Sequence, residues 1–150
     1  MELTTLVYIR HEDSYLMLYR NKKDKDINKG KYIGVGGHFL EGESPVECAV
    51  REVKEETGLT VGKLDPRGIV TFVYGDVVEY MHLFTCDEYE GELIDCDEGE
   101  LSFVPFSQVM DLELWEGDRI FLRKLMDGDG YFFLKLIYDE QGKLVDYRIS

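Results

Sequence analysis

Three glutamates, Glu52, Glu55 and Glu56, are spaced so that a helix would bring their carboxylates together. Residues at i, i+3 and i+4 of a helix lie within about one quadrant of its surface. Three carboxylates on one face repel each other unless cations lie between them, and a set of oxygen ligands suits hard ions such as Mg²⁺ or Mn²⁺. The spacing therefore indicates a divalent-metal site, although a solvated acidic helix face shows the same pattern.

Arg51 and a pair of glycines accompany the three acids. Arg51 precedes Glu55 by four residues, and Glu43 lies in the loop before the predicted helix. A guanidinium can hold a carboxylate through two parallel hydrogen bonds, which would attach this loop to the helix. Gly36 and Gly37 remove side chains where the backbone must come close to a phosphate or a metal ion.

The whole segment resembles the Nudix box, G-x5-E-x7-R-E-U-x-E-E-x-G-U, in which U is an apolar residue. Every defined position of that pattern is matched, by Gly37, Glu43, Arg51, Glu52, Val53, Glu55, Glu56, Gly58 and Leu59. The resemblance implies an α+β fold, an α/β/α sandwich around a mixed β-sheet. It also implies Mg²⁺-dependent hydrolysis, in which water attacks a phosphorus of a nucleoside diphosphate linked to another group.

The resemblance assigns roles residue by residue. It implies that Glu52, Glu55 and Glu56 are metal ligands, with a backbone carbonyl from Gly36, and that Arg51 and Glu43 form an orienting pair. Metal ions neutralise a diphosphate and lower the pKa of bound water. Either Glu55, Glu56 or another nearby carboxylate could then accept the proton.

Similarity beyond the box is weaker and points to the MutT-like branch, the oxidised-purine nucleoside triphosphatases. It comprises Gly30-Lys31-Tyr32, the order of the strands, the tail Leu144-Val145-Asp146-Tyr147, and Leu114-Trp115-Glu116-Gly117-Asp118, which resembles the base-binding segment of mammalian members. It implies that a purine stacks on Trp115 and that Asp118 accepts hydrogen bonds from its edge. The alternatives are that Trp115 anchors the second predicted helix and that Asp118 is its N-cap.

Two departures from the mammalian pattern concern base selectivity. Gly117 stands where those relatives carry a second carboxylate, and Ile33 stands where they carry an amide. Because discrimination between bases needs paired donors and acceptors, we expect a purine preference with modest selectivity for the oxidised base.

Further substrate or metal contacts are expected from residues outside the box. The acidic turn Asp95–Glu98 lies where this branch often supplies another carboxylate, so Glu98 is expected to bind metal or act as a base; a solvated loop acid is the alternative. Arg20 could bind substrate phosphate or simply be a surface charge at a strand end. His38 follows the double glycine and could face the substrate or remain a loop residue.

Composition restricts the partners. The chain has 150 residues, which predicts one domain, and its 31 acids against 17 Lys and Arg give a net charge of −14. This charge argues against binding a nucleic-acid polymer or an anionic membrane.

The three cysteines are odd in number and lack a CxxC spacing, so a reducing cytoplasm is expected. No signal peptide or membrane span is evident, and the protein could be a monomer or a homodimer.

The elements that must position these residues follow from periodicity and turn signals. A helix is predicted between Pro45 and Gly58, with a capping box at Ser44 and Glu47 and an apolar stripe of Val46, Ala49, Val50 and Val53. A second helix is predicted over 118–126 and a loop over 21–31. Strands are predicted over 3–10, 14–20, 68–74, 77–86, 101–106, 131–138 and 143–149, with a short one entering the glycine-rich turn after Tyr32.

Several functions are compatible with these motifs and this composition. The favoured one is cleavage of nucleoside triphosphates, oxidised purines included, to monophosphate and pyrophosphate. A Nudix enzyme for ADP-ribose, a dinucleotide or a nucleotide sugar is the alternative. A non-catalytic Nudix-fold binding module would tolerate loss of box carboxylates, and all of them are present here. An acidic metal-buffering protein would not need the arginine and the glycines.

Overall fold

The computed structural model describes all 150 residues and is built on a mixed β-sheet. The strands are β1 (Glu2–His11), β2 (Ser14–Arg20), β3 (Tyr32–Ile33), β4 (Thr60–Val61), β5 (Asp65–Tyr74), β6 (Val77–Cys86), β7 (Tyr89–Glu90), β8 (Gly99–Pro105), β9 (Phe132–Tyr138) and β10 (Leu144–Ile149). The helices are α1 (Pro45–Thr57), α2 (Phe106–Val109) and α3 (Glu116–Asp127). None of the helices is long and apolar enough to cross a membrane.

The main sheet has the order β10-β9-β5-β6-β1-β2-β3, with β8 also paired to β2. Strands β1 and β6 are parallel, as are β5 and β9, and the other pairs are antiparallel. Alternate residues of β1 enter different cores, because side chains on a strand point to opposite faces. Val7 packs with α1, whereas Tyr8 packs with α3. This is the predicted α/β/α sandwich.

The main sheet separates between β1 and β2, which are neighbours only near their turn. Strands β1 and β2 pair only through Arg10 with Tyr15 and His11 with Ser14, next to their turn. Beyond that point the segment 33–39 lies between them: β3 pairs with β2, and Val35 exchanges backbone hydrogen bonds with Val7. The divergence of the strands opens a cavity beside this glycine-rich segment.

Helix α1 has the predicted ends. Ser44 accepts a hydrogen bond from the Glu47 amide, the Glu47 carboxylate accepts one from the Ser44 amide, and Gly58 adopts the left-handed conformation. The predicted apolar stripe was wrong in part, because Val46 and Val50 are 51% and 37% exposed.

The buried face of α1 includes one of the three acidic residues. It comprises Cys48, Ala49, Val53, Glu56 and Thr57. This orientation places the Glu56 carboxylate within hydrogen-bond distance of the backbone amide of Gly36, so the buried face of the helix includes a polar contact beside its apolar ones.

Helix α3 begins at Glu116, two residues before the predicted start. Trp115 has the extended N-cap conformation, and its carbonyl accepts a hydrogen bond from the amide of Asp118. Asp118 is thus the third residue of the helix and not its N-cap. Short elements α2, β4 and β7 were not predicted, since each is too brief to show a period.

Candidate active site

The cavity at the division of the sheet has a volume of about 560 Å³. Its wall contains Gly36, Glu52 and Glu98, and it also contains Trp115 and Asp118. A cavity of this size is in the range of small-ligand sites. Gly36, Glu52 and Glu98, which the sequence assigned to metal binding, therefore face the same space as the predicted base-binding residues. Glu55 and Glu56 are not among the residues that line it.

Glu56 is the buried member of the acidic group. It is 8% exposed, and its Oε1 accepts a hydrogen bond of 2.8 Å from the backbone amide of Gly36. Its Oε2 is buried without a hydrogen-bond partner. Burial, together with the adjacent carboxyl group of Glu98, raises the pKa of Glu56 to about 9. An unpartnered carboxylate oxygen beside a second carboxylate suits a divalent cation, because the cation would replace the missing proton or hydrogen bond.

Glu52 reaches the backbone of the glycine-rich segment. A Cβ atom on Gly37 would lie 2.5 Å from the Glu52 carboxyl group, so glycine is required there for this carboxylate to approach. Glu55, by contrast, has a side chain that is 60% exposed. The three box glutamates thus present one buried, one intermediate and one exposed carboxylate along α1.

Arg51 connects these acids to the preceding loop, as the sequence predicted. Its Nε and Nη2 donate to the two oxygens of Glu43 at 2.6 and 3.0 Å. Its Nη1 donates to Glu52 at 2.8 Å and to Glu55 at 3.2 Å, and its Nη2 also donates to the carbonyl of His38. Hydrogen bonds from Arg51 lower the pKa of Glu43 to about 2, so the pair stays ionised at neutral pH.

Arg20 lies in the cavity wall but is engaged by acids. Its Nε donates to Asp26 at 2.8 Å, and its Nη1 lies 3.4 Å from Glu98 Oε2. Lys23 also contacts Glu98, at 3.1 Å. Glu98 is therefore held between α1 and two cations, and Arg20 is not a free surface charge.

Trp115 is packed as a core residue whose edge reaches the cavity. It is 4% exposed, and its ring meets Phe72 and Tyr138 in edge-to-face contacts. The indole Nε1 donates to Asn28 Oδ1 at 2.7 Å, and Lys31 Nζ lies 4.8 Å from the ring centroid. The anchoring role is thus part of the structure, and a stacked base would share the ring with Lys31.

Asp118 is a buried acid that faces the cavity. It is 4% exposed, and burial raises its pKa to about 8, with Lys31 opposing the shift. A Cβ on its neighbour Gly117 would lie 2.5 Å from Leu136 Cδ1 and 2.6 Å from the Tyr138 hydroxyl, so a side chain there would require these side-chain ends to move. The packing of α3 on β9 thus disfavours a second carboxylate at position 117.

Several cavity residues were not found from the sequence. Glu79 on β6 lines the cavity and accepts a hydrogen bond of 3.0 Å from Thr4 Oγ1. Asn28, in the segment predicted only as a loop, contacts Trp115. No periodic or motif signal marks these positions, because they become neighbours only through strand pairing and loop packing. His38 does line the cavity, where its Nε2 lies 3.0 Å from Glu2.

Comparison with known proteins gives a consistent family. The NUDIX domain model matches residues 2–125. The Nudix hydrolase YvcI of Bacillus subtilis is 26% identical over 100% of this chain and 95% of its own. An oxidized purine nucleoside triphosphate hydrolase of Danio rerio is 30% identical, over 87% of this chain and 85% of its own.

Solved structures agree with this comparison. A mutator MutT protein from Bacillus halodurans superposes with a TM-score of 0.91 at 26% identity, covering 100% of this chain and 98% of the other. The box residues, the sandwich and the cavity all fit this relationship. This chain belongs to the Nudix family, on its MutT-like branch, and is a pyrophosphohydrolase.

Proposed function

We propose that this enzyme hydrolyses a nucleoside triphosphate, with 8-oxo-dGTP among the candidate substrates, to the monophosphate and pyrophosphate. The observation that carries the proposal is the shared cavity, which contains Glu52 and Glu98 together with Trp115 and Asp118. A nucleotide has a polyanionic end and a flat aromatic end, and the wall offers groups suited to each. The relative from Danio rerio that is named for oxidized purine nucleoside triphosphates supports this choice.

Mg²⁺ or Mn²⁺ is the proposed cofactor, and the donor set fits it. Glu52, Glu55, Glu56 and Glu98, with the carbonyl of Gly36, would hold the ions. When bound, such ions neutralise the diphosphate and lower the pKa of water to supply hydroxide near neutral pH. The unpartnered Oε2 of Glu56 is the structural feature that most favours this assignment.

The protein's own groups have separable roles in the proposed reaction. Arg51 fixes Glu52 and Glu55 relative to the loop that contains Glu43, which orients the carboxylates before substrate arrives. Either Glu56 or Glu98 could accept the proton of the attacking water. Arg20, held by Asp26 and Glu98, places positive charge in the wall and could contact a phosphate.

At the base end, Asp118 is largely a neutral acid near pH 7 because of its raised pKa. A neutral carboxyl group both donates and accepts a hydrogen bond, which suits a purine edge. Ile33 in the wall and Gly117 beside Asp118 have no polar side chains that could act as further partners. We therefore propose a purine preference with modest selectivity between 8-oxoguanine and guanine.

A nucleotide sugar is the second candidate. A GDP-mannose pyrophosphatase of Klebsiella pneumoniae is 25% identical over 85% of this chain and 71% of its own. The same carboxylates could act on either diphosphate linkage, so the two candidates differ in the group attached beyond it. The alternatives ADP-ribose and dinucleotides fall in this second class.

A panel of substrates with Mg²⁺ tests these choices. 8-oxo-dGTP, dGTP, dCTP, ADP-ribose and GDP-mannose are incubated with the enzyme, and pyrophosphate and nucleoside monophosphate are measured. The primary proposal expects monophosphate and pyrophosphate from the purine triphosphates at the highest kcat/KM. A higher kcat/KM for GDP-mannose or ADP-ribose would replace it with the second candidate, and no turnover with any substrate would contradict both.

A further inference from the structure

Strand β10 ends the main sheet and leaves one side unpaired. Ser150 and Phe133 exchange both backbone hydrogen bonds, at 2.9 and 3.2 Å. In an antiparallel pair the bonded residues alternate, so Arg148 and Asp146 direct their backbone groups to β9, and Tyr147 and Ile149 direct theirs away from the sheet. The outer edge of β10 therefore has free backbone donors and acceptors.

Apolar side chains accompany this open edge. Val145, Tyr147 and Ile149 are 57%, 50% and 48% exposed. The amide of Tyr147 is bonded only to the carboxylate of Asp146 beside it, at 2.9 Å. An exposed apolar edge strand is a site for pairing with another strand, and here a single side-chain contact covers the central amide.

The sequence of β10 is complementary to itself about Tyr147. In an antiparallel pair of two copies centred on this residue, Tyr147 faces its counterpart and Val145 faces Ile149 of the other copy. Asp146 then faces Arg148 of the other copy, twice by symmetry. Moving the centre by one residue would place Arg148 against Arg148 or Asp146 against Asp146, so charge selects one register.

We propose that β10 is a homodimer interface, at which two copies of this chain join edge to edge into one continuous sheet. Asp146 leaves the Tyr147 amide and pairs with Arg148 of the second copy, and the freed amide bonds across the two-fold axis. A single strand pair buries little area compared with a permanent dimer. The dimer is therefore expected to dissociate on dilution.

Sedimentation velocity over the micromolar to millimolar range tests the interface with charge variants. Asp146→Arg and Arg148→Asp each create repulsion across the axis and should be monomeric where the wild type dimerises. The double variant Asp146→Arg/Arg148→Asp restores both pairs and should dimerise. An equal mixture of the two single variants should form a heterodimer, since each then faces the opposite charge.

The exposed-site variant Glu92→Arg is the control for a change of charge alone, and circular dichroism shows that each variant is folded. The inference is overturned if the wild type stays monomeric throughout this range. It is also overturned if the single variants dimerise as strongly as the wild type, or if the double variant and the mixture fail to associate while remaining folded.

Discussion

The carboxyl group of Glu56 on α1 neighbours that of Glu98, which lies in the turn before β8. Burial and this neighbour raise the pKa of Glu56 to about 9, and its Oε2 has no hydrogen-bond partner. A divalent cation would replace the proton that Glu56 holds beside Glu98, so the proposed metal binding is expected to stabilise the fold.

Saturating Mg²⁺ should therefore stabilise the wild-type protein. At about 100 times its Kd, a ligand adds about 2.7 kcal/mol to the free energy of unfolding. Glu56→Gln should show a smaller rise in Tm with Mg²⁺. The neutral glutamine amide can bond to Glu98 without a cation, and it no longer offers a carboxylate ligand. Glu41→Gln, an exposed loop acid, is the matched control and should respond like the wild type; an equal rise in Glu56→Gln would remove this residue from the metal site.

Turnover should depend on the same face of α1. We expect Glu56→Gln and Glu55→Gln to lower kcat by roughly 10²- to 10⁴-fold, the contribution typical of an acid–base group. The helix should survive, since its caps and buried face do not require these charges. Steady-state rates are measured beside circular dichroism, with Glu41→Gln again as control; rates near that of wild type for both variants would contradict the assignment.

Arg51→Lys tests positioning. Lysine keeps the charge but cannot make the two-point contact with Glu43 while also reaching Glu52. We expect roughly 10- to 100-fold lower activity, the range seen when groups that orient metal ligands are lost, together with weaker Mg²⁺ binding by calorimetry. Lys54→Arg, on the same helix but away from the acids, should leave both unchanged. Wild-type Mg²⁺ affinity in Arg51→Lys would show that this network does not orient the ligands.

Asp118 should make stability depend on pH. Its pKa in the folded protein is about 8, above its usual value of 3.8, so the folded state binds this proton more tightly than the unfolded chain does. The stabilisation is complete below pH 3.8 and is lost as the pH rises through about 8. Without metal, Tm of the wild type should fall relative to Asp118→Asn between about pH 4 and about pH 8 and level off above that, as measured by thermal scans. A constant difference in Tm would show that Asp118 is ionised in the fold.

Trp115 is best tested by a conservative change. Truncation to alanine would cost about 3–5 kcal/mol because it leaves a cavity, whereas Trp115→Phe keeps most of the packing and loses the hydrogen bond to Asn28. We expect a higher KM for 8-oxo-dGTP and dGTP than in the wild type, with little change for dCTP. If the KM of Trp115→Phe equals that of the wild type for each of the three substrates, Trp115 is only an anchor.

The sequence predicted those parts of the site that are close together in the chain. The contact of Arg51 with Glu43 and the caps of α1 followed from spacing within one helix and its loop. The spacing did not predict which side of α1 would be buried, because Val46 and Val50 fit an apolar stripe equally well with Ala49 and Val53. The buried Glu56 contacts Gly36, a residue of a separate segment, so its burial depends on a tertiary contact that the helix period does not show.

Contacts between distant segments could not be predicted in this way. Glu79 faces the cavity because β6 pairs in parallel with β1, and that pairing leaves no local mark in the sequence. The hydrogen bond from Trp115 to Asn28 joins the start of α3 to a polar segment that has the sequence of an ordinary loop. The close packing of Gly117 against Leu136 and Tyr138 on β9 is likewise a contact between distant segments.

The glycine-rich segment also holds β1 and β2 together beyond the point where they separate. Val35 and Gly37 accept backbone hydrogen bonds from Val7 and Thr5, at 2.6 and 2.9 Å, while β3 pairs with β2. The same few residues that approach the Nudix-box carboxylates thus join β1 to β2 beyond their turn. Loss of these hydrogen bonds would separate the two strands and displace the glycine-rich backbone together, so amide exchange at Val7 and Val35 would report on the integrity of the proposed site.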